Sequence, residues 1–144
     1  MRSFFITVIL LVASGTLCMA QCDQKVSFSS GITTHLDANG GIKNTVAEQT
    51  TLTFDKIDLV VAISRDGADM KLTGKVKSYL CDWKVPFKEG KTTLTGSLEN
   101  DNGESRNYTI TIEGKDGKIQ LLAVSPDEPD DQIKLEAGKF QQVL

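Results

Sequence analysis

The chain has 144 residues, with 16 Lys+Arg against 19 Asp+Glu and a net charge of −3. This mild acidity argues against nucleic acid or an anionic membrane surface as a partner. The length is sufficient for one domain with its own hydrophobic core.

The first element is an apolar run, Phe4 to Ala13, preceded by Arg2. It is too short to span a bilayer, and the small residues Cys18 and Ala20 follow it. Together these features predict a secretory signal peptide over residues 1–20. Cleavage after Ala20 leaves residues 21–144 as a single domain of 124 residues, and loss of Arg2 brings its net charge to −4. No later apolar run is long enough to cross a membrane, so the expectation is a secreted or periplasmic protein. Cys22 and Cys81 remain after cleavage, and an oxidising compartment favours a disulfide between them. On the chain-entropy account such a bridge stabilises by ~4 kcal/mol. The rival reading is a lipid anchor on Cys22, but Gln21 before it is a poor fit to the small residue that such a cleavage site requires.

Lys25 to Ser29 reads as a strand with Val26 and Phe28 on one face. Residues 30–48 contain Gly31, Asn39, Gly40 and Gly41 and read as loop, with at most one short hairpin or helical turn. From about Thr51 to Val124 the apolar residues alternate with period two and helical spacing is absent. Asp66-Gly67 and Asp116-Gly117 are strong hairpin turns. Their registers put Val61 beside Leu72 and Ile63 beside Met70 in the first case, and Ile112 beside Leu121 and Gly114 beside Ile119 in the second. A one-residue slip in either hairpin would oppose apolar to charged residues.

Three further connections are expected in this region. A turn at Glu89-Gly90 places Val85 beside Leu94 and Cys81 beside Leu98. A loop of odd length around Asn100 to Glu104 places Leu98 beside Tyr108 and Gly96 beside Ile110. A tight turn at Ser78-Tyr79 restores one common apolar face, with a β-bulge as the alternative. The turn would let Gly74 and Gly96, from the echoed Leu72-Thr73-Gly74 and Leu94-Thr95-Gly96, flank Trp83 on its two neighbouring strands. Ser125 to Asp131 reads as an acidic proline loop, and Ile133 and Leu135 as a short last strand. The result is an all-β fold, an antiparallel up-and-down meander of about eight strands forming a barrel or a sandwich. It resembles a lipocalin-like small exported barrel in architecture only; the Gly-x-Trp signature of that family near the first strand is missing, since Trp83 lies mid-chain after Asp82.

Catalytic chemistry is thinly supplied. His35 is the only histidine, and beside Asp37 in a loop it lacks the surroundings of a triad. The carboxylates Asp127, Glu128, Asp130 and Asp131, and the group Asp101, Asn102 and Glu104, match no calcium-loop spacing and read as solvated. No catalytic residue, cofactor or metal ligand is therefore expected. Thr51 and Thr53, Thr93 and Thr95, and Thr109 and Thr111 read as exposed strand positions, with Thr95 beside Thr111 and Ser97 beside Thr109; a flat array of this kind could otherwise recognise an ordered surface. Asn107-Tyr108-Thr109 fits the N-glycosylation pattern. The apolar face, running from Ile57 to Leu121 and including Trp83, Val85, Phe87 and Tyr108, fills a core or lines a cavity for an apolar ligand. The functional expectation is an exported, non-enzymatic domain that binds a small apolar ligand or a macromolecular surface, with Trp83 and Tyr108 as candidate ligand contacts. The alternative is a structural or adhesion module of an envelope or extracellular assembly.

Overall fold

The structure is a computed structural model that describes residues 21–144; the expected signal peptide lies outside the described residues. A short 3-10 turn, Gln21–Asp23, precedes nine strands: β1 Val26–Leu36, β2 Ile42–Phe54, β3 Asp58–Arg65, β4 Ala68–Val85, β5 Glu89–Glu99, β6 Ser105–Lys115, β7 Lys118–Ser125, β8 Glu128–Glu136 and β9 Lys139–Gln142. From β1 to β8 each strand pairs antiparallel with the next, and β8 returns to β1 through Thr33 to Leu36. The meander is thus a closed eight-stranded barrel rather than a sandwich. Below that junction β9 takes over the edge of β1, pairing with Val26 to Ser29.

Both Asp-Gly turns form as their chemistry requires. Asp66 and Asp116 have φ of 52° and 53°, and the following Gly67 and Gly117 have φ of 78° and 79°. Positive φ at both central residues marks the type I′ turn, whose twist suits a hairpin. Val61 pairs with Leu72 and Ile63 with Met70. Ile112 pairs with Leu121 and Gly114 with Ile119.

The structure corrects the region between them. There is no turn at Ser78-Tyr79: β4 runs unbroken for 18 residues. Its apolar phase switches at a β-bulge instead, because Val76 pairs with Gly96 while Ser78 pairs with Thr95, leaving Lys77 as the extra residue. The next turn is set by Pro86 rather than by Glu89-Gly90. The Lys88 N–H donates to the Val85 carbonyl at 3.1 Å, and Phe87 takes a φ of 60°. Proline in the second position followed by positive φ is the pattern of a type II turn. Tyr79 therefore pairs with Leu94 and Cys81 with Thr92. The loop from Asn100 to Glu104 is odd in length as expected, but Gly96 pairs with Tyr108 and Leu98 with Arg106.

Two stretches read as loop are strand. β1 continues to Leu36 and β2 begins at Ile42. Their alternation is hidden because between Phe28 and Leu36 β1 buries Ser30 and Thr33 rather than apolar residues, and because the β1–β2 ladder shifts register twice. The acidic proline stretch enters β8 at Glu128, tolerating Pro129. Three members of the expected apolar face are instead exposed: Ile57 in the β2–β3 connection, Met70 near the start of β4 and Val85 at its end.

At the β2–β3 connection the Asp55 carboxylate accepts the N–H groups of Asp58 at 2.7 Å and Ile57 at 2.8 Å. These bonds, the Asp58 one first, hold its carboxyl below the usual aspartate range. A lowered folded-state pKa stabilises above the unfolded value and is lost as pH falls through the folded one. Asp55→Asn should therefore cost roughly 1 kcal/mol at neutral pH, discounted for exposure. Urea midpoints of the two proteins should converge as the solution is acidified below about pH 4.

Candidate functional site

The barrel interior has two unlike halves. At the end where β4 turns into β5 it is filled. The Trp83 ring centroid lies 5.4 Å from that of Phe140, which is 5.1 Å from Phe87 and 6.0 Å from Phe28. Trp83 is 3% exposed, and its indole N–H donates to Thr92 Oγ1 at 2.7 Å. Glycines do make room for the ring, but they are Gly90 and Gly114 rather than Gly74 and Gly96. A Cβ on Gly114 would fall 2.7 Å from Trp83 Cζ3, and one on Gly90 would meet the Trp83 backbone. Gly74 and Gly96 instead admit the close approach of neighbouring backbone, at Ser97 and Lys75 respectively. The Cys22–Cys81 disulfide staples the N-terminal segment across this end, with Cα atoms 5.7 Å apart. Burial here pushes the Tyr79 phenol up from its ordinary pKa, and Asp23 and Asp55 add to the effect.

The other half is not filled. It holds a cavity of about 320 Å³ that opens at the strand ends, near the last residues of β1 and β3 and the first of β4. Leu98, Ile110, Leu121, Ala123, Ile133 and Leu135 from β5 to β8 form one wall. Leu52, Val61, Ile63 and Leu72 continue it on β2 to β4, and Met70 stands at the mouth. The polar lining lies on β1, β2 and β3: Thr33, His35, Glu48, Thr50 and Arg65. Tyr108, half-buried on β6, joins the wall. Trp83 is not on the cavity wall; it belongs to the filled end.

The other candidate groups are placed apart from this cavity or are engaged in structure. His35 does not sit beside Asp37. Its Nδ1 lies 2.9 Å from Asp131 Oδ1 on β8, while Asp37 accepts the N–H groups of Asn39 and Gly41 in the β1–β2 turn. Among the described residues no group of three or more His, Cys, Asp or Glu side chains is arranged to hold a metal ion. Glu128 pairs with Arg106 at 2.8 Å, and Asp127 accepts the Asn107 N–H. The threonine ladder is displaced by one pair from its expected register: Thr95 faces Thr109 and Thr93 faces Thr111. Asn107 and Thr109 of the glycosylation pattern are both exposed on the outer face of β6.

No protein-family model, curated protein or solved structure matches the chain. The site is therefore read from its own geometry. Four of its five polar groups, Thr33, His35, Glu48 and Thr50, lie in or beside the stretch that composition marks as loop. The signal that could have found them is the hydroxyl-rich run Ser29 to Thr34, which keeps strand propensity without apolar alternation.

Proposed function

We propose that the protein is an exported, non-enzymatic carrier or sensor that binds one small, largely apolar molecule inside the open half of its barrel. The observation that supports this reading is the asymmetry of the interior. A chain that fills one half of its barrel with four aromatic rings leaves the other half as a cavity with apolar walls and convergent polar groups at one side. Small-molecule sites have this character, and 320 Å³ lies at the small end of their range. The apolar leader in residues 1–20 and the Cys22–Cys81 bridge support export into an oxidising compartment.

A neutral phenylnaphthylamine dye, which fluoresces in apolar surroundings, tests the reading. It should bind saturably at one site per chain. Ala123 lies on the cavity wall and is buried. Ala123→Phe fills the space, and dye affinity should fall by at least about tenfold, the equivalent of 1.4 kcal/mol. The melting temperature of that variant verifies that it is folded. Unchanged dye affinity in a folded Ala123→Phe protein would place binding elsewhere.

A further inference from the structure

Thr33 and Thr50 are 3% and 5% exposed, yet both line the cavity. Their hydroxyls lie 3.4 Å apart, at the long limit of a hydrogen bond, and among the described residues neither has another side-chain partner. Two hydroxyls hold two donors and four acceptor positions between them, so one mutual bond leaves most of that capacity unused. Buried polar groups are normally satisfied, and unused capacity aimed into a cavity marks a place where a guest can complete it. Apart from Tyr108, the facing wall from β5 to β8 is aliphatic.

The charges around the mouth narrow the guest further. Glu48 and Arg65 both line it. Gln49 pairs with Ser64, so these two are the next positions along the same ladder and offset one another. His35 is engaged by Asp131. With Glu48 set against Arg65 and Asp131 against His35, the lining offers no unopposed cation to a carboxylate guest at the hydroxyl pair, which would have to shed its water for two neutral hydroxyls. A neutral hydroxyl or carbonyl needs no counter-charge; either accepts from a threonine hydroxyl, and a guest hydroxyl can also donate to one. Resting on the reading of the cavity as a ligand site, we infer that the guest is a neutral amphiphile, an alcohol or ketone with an apolar body. Its oxygen sits at Thr33 and Thr50, and its hydrocarbon part lies against β5 to β8.

Decanol and decanoate, which share a chain and differ in the head group, test this by displacement of the phenylnaphthylamine dye at neutral pH. Decanol should displace it about tenfold more effectively than decanoate. Thr33→Val with Thr50→Val preserves side-chain shape while removing both hydroxyls. With each displacement referred to the variant's own dye affinity and its melting temperature verifying that it is folded, the double variant should lose the preference for decanol. Equal or tighter binding of decanoate, or a double variant that keeps the full preference for decanol, would overturn the inference while leaving the cavity as a ligand site. Failure of the dye, decanol and decanoate alike to bind the unmodified protein would overturn the cavity reading and this inference with it.

Discussion

Trp83→Ala should leave the protein barely folded. The indole is buried, packs on Phe140 and hydrogen-bonds to Thr92. Large-to-small changes of this kind cost ~3–5 kcal/mol. A domain of this size has only ~5–15 kcal/mol in total. The loss has two parts: the ring leaves a void that the flanking Gly90 and Gly114 cannot fill, and Thr92 Oγ1 loses its donor. Because Trp83 stands apart from the cavity, the milder Trp83→Phe should lower the melting temperature while a folded sample keeps its dye affinity. Thermal melts and dye titrations of the two variants check both statements. A near-native melting temperature for Trp83→Ala, coupled to lost binding, would instead make Trp83 a ligand contact.

Opening the Cys22–Cys81 bridge is the second large effect. The bridge spans a sequence separation of 59 residues and joins the N-terminal turn to the last third of the barrel's longest strand. Its removal by Cys22→Ala with Cys81→Ala should cost ~4 kcal/mol on the chain-entropy account. Local contacts also depend on it: Gln21 is buried and its side-chain carbonyl accepts the Phe87 N–H at 2.7 Å. That bond restrains the turn in which Phe87 holds a positive φ. Denaturant midpoints of the oxidised protein and the double variant should therefore differ widely. In the native protein, alkylation without reductant should leave the intact mass unchanged. A lipid adduct on Cys22 would contradict the bridge directly.

The contrast between hairpins shows what was legible in the residues. Asp66-Gly67 and Asp116-Gly117 carry their own turn geometry, so type and register follow from two residues and the flanking alternation. The β4–β5 turn depends on Phe87 adopting a conformation that suits glycine, and the nearby Glu89-Gly90 offered a plausible wrong answer. The Pro86 signal was present and outweighs it physically, since proline sets the second position of the turn. The bulge at Lys77 left its mark as a change of apolar phase between Val76 and Cys81. Deciding between bulge and turn needs the partner strand. The first hairpin was the least legible because β1 buries hydroxyls where a core strand normally buries aliphatics. One of those hydroxyls, Thr33, lines the cavity beside Thr50 of β2, so the part of the fold hardest to read was also part of the site. The inward phase of Tyr108 was legible because it sits in clean alternation with Ile110 and Ile112. Trp83 was rightly placed inside, but which half of the barrel it occupies depends on the β4–β5 register.

Methyl-resolved NMR during a titration with the phenylnaphthylamine dye tests the central claim most directly. Saturable shifts should concentrate on the methyl groups of Leu72, Leu98, Ile110, Ile133 and Leu135, which line the cavity. The outward-facing Ile32, Ile42 and Leu80, all exposed, should remain still. Shifts confined to those outer methyl groups, or none at saturating dye, would contradict a ligand site inside the barrel.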